Sequence, residues 1–403
     1  MEDALAAIID YRGKTPQKSE QGIPTLSAKS VKNNYINYSE CYYISADEYK
    51  RFMVRGFPKK GDILLTTEAP MGMVARLDRD DVAIAQRLLT LRGKEGILDN
   101  DYLLYLLQSP YGQGLLKAKE TGTTVTGIKQ AEFRKIVIKL PDFIIQKKIS
   151  SILTAIDSKI ACNTKINDNL QQQIKLLITA WLVDYVPFGG KMPSDWHTIS
   201  LSAIADFVSG YSYKGNELQQ STTAMATIKN FDRNGGFKLD GFKEIVPSPK
   251  IKACHYAEKF DVVVAHTDLT QKAEVIGNAE PIINLSGYEA IVFSMDLVKV
   301  VPKDTRVSKF MLAALLQNPR FKAHCLGYVN GTTVLHLSKK ALPDYELDFP
   351  TDPTVLAPLD DALRVLYMQM ATIVDENRKL QELRDSLLPR LMGGEIDVSD
   401  IEI

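Results

Sequence analysis

From Phe143 to Tyr185 the chain runs without a glycine or a proline, and its apolar residues recur at helical spacing. One long helix is the element that such a run can form. A heptad register through Ile149, Ile152, Ile156, Ile166, Leu170 and Leu177 gathers these side chains on one seam, interrupted by Lys159, Asn163 and Gln173. A seam of this kind calls for a partner helix. The far end of the chain supplies one: Leu356, Leu359, Leu363, Leu366, Met370, Ile373, Leu380, Leu387 and Leu391 keep a 3-4 spacing, broken by Asn377 and Arg384. Each helix has some forty residues, hence a length of roughly 60 Å at 1.5 Å per residue. A paired coiled coil is the reading favoured here, two independent core helices the alternative.

Composition leaves the fold class open. The chain has 403 residues, 45% hydrophobic and 24% charged, enough for two or three ordinary globular domains. It contains no apolar run near eighteen residues and no secretory leader pattern, so a cytoplasmic protein without membrane association is expected. Cys41, Cys162, Cys254 and Cys325 are scattered without a CxxC pair, which suits reduced thiols and no zinc ribbon. Nor do His197, His255, His266, His324 and His336 fall at metal-ligand spacing, so no metal is proposed. Charge balances at 49 against 49, unevenly: residues 1–141 hold 21 basic against 17 acidic residues, and residues 351–403 hold 5 against 11. An acidic end and a mildly basic start suggest different partners for the two, or a solvated face.

Before the first helix the text is mixed. Strands are predicted at Asp62–Thr67, Gly72–Leu77, Val82–Leu91 and Ile136–Leu140, and a helix at Asp101–Gln113. After the helix, Val186-Pro187-Phe188-Gly189-Gly190 reads as a stop and linker. A second globule then restates the first. Gly331-Thr332-Thr333-Val334 repeats Gly122-Thr123-Thr124-Val125, and Pro350 repeats Pro141, both at an offset of 209; Lys259-x-Asp261 repeats Lys60-x-Asp62 at 199. The order is globule, long helix, globule, long helix, with boundaries expected at 1–141, 142–190, 191–350 and 351–403. A repeat of this size implies pseudo-two-fold symmetry, an antiparallel helix pair with the globules at its two ends, and Asn163 and Asn377 on equivalent seam positions.

Several motifs carry a resemblance. Leu140-Pro141, Gln146-Lys147-Lys148-Ile149, Ile152-Leu153, Ile156-Asp157, Lys159-Ile160 and Asn163 resemble the central conserved region of the specificity subunit of type I restriction-modification systems. Leu383-Arg384-Asp385-Ser386-Leu387-Leu388-Pro389-Arg390-Leu391-Met392 with Gly394-Glu395-Ile396 is similar to its distal conserved region. One departure is that the first globule begins at Met1 without a counterpart of Trp196-His197-Thr198-Ile199. The resemblance implies an α+β fold of two mixed α/β target-recognition domains separated by the long helices. It also implies a non-catalytic reader of double-stranded DNA that docks two modification (methyltransferase) subunits, and restriction subunits through them. S-adenosylmethionine would then belong to the modification subunit, with no cofactor in this chain.

The chain lacks an Asn-Pro-Pro-Tyr-like methyltransferase motif, a GxxxxGK[ST] loop and a helicase acid box. Pro343-Asp344 with Glu346 only superficially suggests a nuclease acid pair. A self-contained DNA methyltransferase or nuclease and a coiled-coil protein scaffold remain the rival readings. If the chain reads DNA, basic groups for phosphate and amide, hydroxyl or guanidinium groups for base edges are needed. In the first globule the candidates are Arg12, Lys14, Lys18, Lys29, Lys32, Asn33, Asn34, Tyr35, Gln86, Arg87, Thr123, Thr124 and Lys129. In the second they are Tyr211, Tyr213, Lys214, Lys229, Asn230, Arg233, Asn234, His266, Thr267, Thr332, Thr333, His336, Lys339 and Lys340. Any one of them taken alone is also explained as a solvated surface group. Because matching places carry different residues, the two domains should read different sequences.

Overall fold

A computed structural model describes residues 1–122 and 126–402. They form two compact units: residues 1–160 with 380–403, and residues 161–379. Both unit boundaries fall inside the long helices, so each unit contains a stretch of each.

In the first unit the strands are β1 (Leu5–Asp10), β2 (Ile23–Leu26), β3 (Val31–Lys32), β4 (Tyr35–Ile36), β5 (Tyr42–Ile44), β6 (Ile63–Thr66), β7 (Val74–Arg76), β8 (Ala83–Ile84) and β9 (Leu88–Gly93). An antiparallel sheet has the order β1-β9-β6-β7, and a smaller one the order β5-β2-β8, with β2 and β8 parallel. The helices are α1 (Ala46–Phe52), α2 (Asn100–Gln108), α3 (Pro110–Lys117), α4 (Gln130–Arg134) and the start of α5 (Phe143–Leu182). α2 buries Tyr102 to Leu107 and packs on the larger sheet.

Two of the predicted elements split here. The helix expected over Asp101–Gln113 is two helices, because Pro110 cannot continue the hydrogen-bond ladder and the Ser109 hydroxyl accepts from Gly112 N–H at 3.1 Å to start the next one. The strand expected over Val82–Leu91 breaks into β8 and β9 around Arg87, whose φ is +72°. The strand expected at Ile136–Leu140 is not formed, since no strand among the described residues pairs with it.

The second unit contains β10 (Trp196–Ser200), β11 (Ala205–Ser209), β12 (Thr223–Ala226), β13 (Lys243–Glu244), β14 (Tyr256–Ala257), β15 (Val262–Ala265), β16 (Thr267–Asp268), β17 (Ala279–Pro281), β18 (Ala290–Phe293), β19 (Leu297–Pro302), β20 (Val329–Asn330), β21 (Leu335–Leu337) and β22 (Glu346–Pro350). Its helices are α6 (Lys309–Leu316), α7 (Pro319–Leu326) and most of α8 (Ala357–Met392). The sheet β11-β19-β15-β17 repeats β1-β9-β6-β7 strand for strand, and β13-β12-β18 repeats β5-β2-β8 with the same parallel pair. The fold is thus α+β, built twice. β22 is a strand where residues 136–140 are not because β10 pairs with it from Trp196 opposite Pro350 to Ser200 opposite Glu346.

The motif residues of α5 and α8 do structural work. In the first unit, Gln146 is buried and bonds to Ile97 and Pro141 carbonyls and to Asp99 N–H, joining the start of α5 to the cap of α2. Asp157 accepts from Tyr105 Oη at 2.8 Å and from Arg384 of α8 at 2.9 Å. Ile149 and Leu153 share a core with Leu391, bordered by the half-buried Leu387 and Ile152. In the second unit, Leu170, Ile174, Ile178 and Leu182 pack in one core with Leu359, Leu363, Tyr367, Met370 and Ile373, while Leu366 and Leu177 line its edge.

The buried stripe of α5 departs from the expected heptad. It runs through Ile149, Leu153, Ile156, Asn163, Leu170, Ile174, Ile178 and Leu182, whereas Ile166 is 37% exposed and Lys159 and Gln173 face outward. From Ile149 to Leu170 its steps of four, three, seven and seven residues keep heptad spacing, whereas from Leu170 to Leu182 three successive steps are of four, because there the helix packs on the rest of the second unit as well as on α8. A stripe wider than a coiled-coil seam results. On α8, Leu380 and Asn377 are half-buried.

Candidate nucleic-acid interface

Three groups of the candidate residues come together, two of them in equivalent places. In the first unit, the Arg87 guanidinium lies 2.8 Å and that of Arg12 3.6 Å from the Glu68 carboxylate. The chain at Glu68 bridges to Gly127, which bridges to Thr121, and Ile128 N–H donates to Thr67 O at 2.9 Å. Thr121, Gly127 and Ile128, which precede the exposed Lys129, therefore lie beside the chain at Thr67 and Glu68, where Arg12 and Arg87 pair. Thr123 and Thr124 fall outside the described residues.

The second unit rebuilds this corner. β16 pairs with β21, Thr267 opposite His336, and Leu337 N–H donates to His266 O at 2.8 Å, as Ile128 does to Thr67. His266 N–H donates to Asp296 O where Thr67 N–H donates to Arg87 O. Equivalent backbone thus carries Thr67, Glu68 and Arg87 in one unit and His266, Thr267 and Asp296 in the other. His266 is half-buried, and burial first, then His336 and Lys339, holds its imidazole below the usual range and hence neutral at physiological pH. Thr332, Thr333, His336 and Lys339 are exposed, and Gln271 Nε2 donates to Thr332 O at 2.6 Å. Thr267 is only 5% exposed, and its hydroxyl lies 3.5 Å from His336 Nδ1.

The third group is a hairpin that occurs in both units. In the first, β3 and β4 are joined by Asn33-Asn34, with Asn34 at φ +71°; Lys29 and Tyr35 are exposed and Lys32 half-buried. Both amide oxygens are engaged within the fold, however: Asn33, though exposed, accepts through Oδ1 from Val74 N–H, and the half-buried Asn34 through Oδ1 from Gln108. In the second, Phe231 bridges to Phe237 across a turn, Asp232 to Gly236, that exposes Arg233 and Asn234. Arg233 pairs with Glu274 at 3.2 Å, and Lys229 is exposed at the base of the turn. Asn230 is fully buried, donating to Lys238 O and accepting from Thr227 N–H, so it shapes the hairpin.

Of the remaining candidates, Gln86 adjoins Arg87 and Lys14 follows Arg12 by two residues. Tyr211 is buried at 7% exposure with its hydroxyl on Glu217, Tyr213 packs beside it, and Lys214 is exposed. Lys14 is exposed, the Lys18 ammonium sits 4.8 Å over the Tyr42 ring, and Gln86 is half-buried.

Sequence reasoning passed over the groups that hold the second hairpin. Its turn closes one side of a cavity of about 1200 Å³ lined in part by Gln171, Lys175, Glu280, Gln317 and Tyr367. Gln171 and Lys175 of α5 donate to the Gly235 and Asn234 carbonyls at 3.1 and 3.0 Å. Glu280 accepts from Gly236 N–H at 2.6 Å and from Gln317 at 2.9 Å, and burial pushes its carboxyl up to about 7. No short motif marks these residues; only their spacing in the repeat could have singled out Gln317.

The comparisons with known proteins agree among themselves. Residues 9–172 match the family described as type I restriction modification DNA specificity domain. The type I restriction enzyme MjaIX specificity subunit of Methanocaldococcus jannaschii is 24% identical over 405 residues, covering 94% of this chain and 88% of that protein. The HindI specificity subunit of Haemophilus influenzae is 22% identical over 411 residues, 84% and 87% of the two chains. In fold, the chain matches the crystal structure of a type I restriction-modification S subunit from M. genitalium with a TM-score of 0.53 at 16% identity, over 94% and 93% of the chains.

Proposed function

We propose, for a chain that belongs to the specificity-subunit family of type I restriction-modification systems, that it reads a bipartite, asymmetric site on double-stranded DNA, one half with each unit. The observation that carries this reading is the doubled scaffold with unlike side chains at matching places: Glu68 and Arg87 against Thr267 and Asp296, Asn33-Asn34 against the Asp232–Gly236 turn. Phosphate contacts from exposed cations such as Lys129 and Lys339 would supply affinity, and the hairpins and corners the base choice. Catalysis we assign to partners. The modification subunits would bring S-adenosylmethionine and the methyl transfer, and restriction subunits would join through them, in the cytoplasm where the DNA is. No helix among the described residues is long and apolar enough to cross a membrane.

The docking surfaces we assign to outer faces of the long helices. They display Leu176, Val365 and Met368 at 69, 63 and 53% exposure in the second unit, and Ile144 and Leu383 at 68 and 47% in the first. Apolar side chains so exposed on helices suit a protein partner.

Methylome sequencing of a strain with and without the chain tests the reading. A two-part methylation motif that disappears with the chain is expected. Exchanging residues 191–350 for those of a relative should change one half of the motif only, and inserting four residues near Asn163 should change only the unread gap. A motif unaffected by loss of the chain overturns the proposal.

A further inference from the structure

We infer that Gln108 and Gln317 are equivalent positioning residues, each locking one DNA-reading hairpin to the sheet of its own unit and so governing the fidelity of one half-site alone. The inference rests on the DNA-reading role proposed above and names the side chains that make two copies of one hairpin rigid.

The two glutamines stand 209 positions apart, at the ends of α2 and α6, the same offset that relates the rest of those helices. Gln108 Nε2 donates to Val74 O at 3.1 Å; Gln317 Nε2 donates to Ala279 O at 3.1 Å. Val74 and Ala279 are equivalent, opposite Leu65 of β6 and Val264 of β15. Each amide then uses its second N–H to reach the hairpin. Gln108 donates to Asn34 Oδ1 at 2.6 Å, and Asn34 N–H in turn donates to Val74 O at 3.0 Å. Gln317 donates to Glu280 Oε2 at 2.9 Å, and the other oxygen of that carboxylate accepts from Gly236 N–H at 2.6 Å. The second hairpin is longer, and the Glu280 side chain fills the added distance. Glutamine suits the post because one amide group donates twice with fixed geometry.

Rigidity matters to a reader of bases. A two-stranded ribbon is of a size to enter the major groove, where bidentate hydrogen bonds discriminate only if their donors and acceptors are held in place. A hairpin tied down before binding also loses less conformational freedom on binding. What each hairpin presents differs: Lys29, Lys32 and Tyr35 in one, Lys229, Arg233 and Asn234 in the other. The amide lock is common to both.

The test expresses the full chain with its modification subunits and compares methylomes of wild type, Gln108→Met and Gln317→Met, with thermal melting of each purified chain as control. Methionine keeps the length and removes both donors. Each variant is expected to lower the preference for the correct base over single mismatches about tenfold in one half-site, a different half for each, with the other half and the gap unchanged. Should Gln317→Met fail to fold, Gln171→Met severs only the tie from α5 to Gly235 O and is expected to relax the same half-site. Folded variants that relax both halves alike, or neither, overturn the inference while the wild-type motif stands. Absence of any motif dependent on the wild-type chain refutes the reading role itself.

Discussion

Asn163 Nδ2 donates at 2.8 Å to Asn377 Oδ1, 214 positions further along the chain, joining the two long helices within the second unit by their side-chain amides. The same NH₂ group donates to Glu376 Oε2 at 2.8 Å, and Asn163 is 1% exposed. A buried amide that finds its partner in only one alignment specifies that alignment, because any slip leaves it unsatisfied. Asn163→Ala is expected to cost about 1–3 kcal/mol, and the double change Asn163→Leu with Asn377→Leu clearly less than the sum of the two single changes. Equal additive losses in thermal melts would show that the pair is not coupled.

The stripe on α5 makes a sharper test of register. Ile174 is 2% exposed in the core of its unit, and Ile166, assigned to the seam by heptad counting, is 37% exposed. Ile174→Ala should destabilise by about 2–5 kcal/mol. Ile166→Ala should change stability by less than about 0.5 kcal/mol. A reversed order would restore the heptad.

How far the sequence was legible follows from where its signals are local. The run from Phe143 and the repeat offsets of 199 and 209 are local patterns, and both helices and the doubled sheet follow from them. The polar pair Asn163 and Asn377 was legible because each breaks an apolar stripe. Side-chain direction was not. Asn33, Asn34 and Asn230 have the composition of base readers, yet Asn33 and Asn230 bond to backbone groups and the Asn34 oxygen accepts from the Gln108 side chain, partners that only the folded chain brings within reach. Glu280 was invisible for a related reason: a lone carboxylate in a strand gains meaning only from the turn and the glutamine that meet it. Residues 136–140 read as strand from their own side chains, but strand pairing needs a neighbour.

Phe260 shows what the repeat can alter at one backbone position. It has φ +69° where its equivalent, Gly61, has φ +91°. A left-handed conformation costs a residue with a Cβ about 1–2 kcal/mol. Packing of the Phe260 ring against Phe310, 5.0 Å between centroids, offsets that strain. Phe260→Ala keeps the strain and loses the ring, whereas Phe260→Gly loses both. The glycine variant is therefore expected to be the more stable of the two by about 1 kcal/mol, read from denaturant midpoints, an inversion of the usual ranking. Alanine above glycine would mean the strain is absorbed elsewhere.

Glu280 should make stability fall as pH rises. Burial raises its carboxyl from 4.5 to about 7, against the pull of the Gly236 N–H bond and Lys175. Between those values the folded chain binds more protons than the unfolded one. The contribution is fully present below pH 4.5 and lost as pH rises through 7, about 3 kcal/mol at its limit. Glu280→Gln cannot titrate. The melting temperature of Glu280→Gln minus that of the wild type should therefore increase from pH 5 to pH 8, and a difference flat across that window contradicts a raised carboxyl.

Binding to duplex DNA separates cations that meet phosphate from polar groups that only hold the fold. Lys129 and Lys339 are exposed at the equivalent corners, and Asn230 is buried in the second hairpin. A cation that neutralises a phosphate releases about one counterion, so Lys129→Ala and Lys339→Ala should each reduce the slope of log affinity against log salt by about 1. Asn230→Ala leaves Lys238 O and Thr227 N–H without their partner, which should lower stability by about 1–3 kcal/mol. Its salt slope should match the wild type, because no phosphate contact is removed. The comparison is made on the full chain with its modification subunits, across a salt series on one duplex carrying the methylated motif. If Asn230→Ala shifts the slope while the lysine changes do not, the corners built on Thr67 and His266 are not where the backbone of the DNA lies.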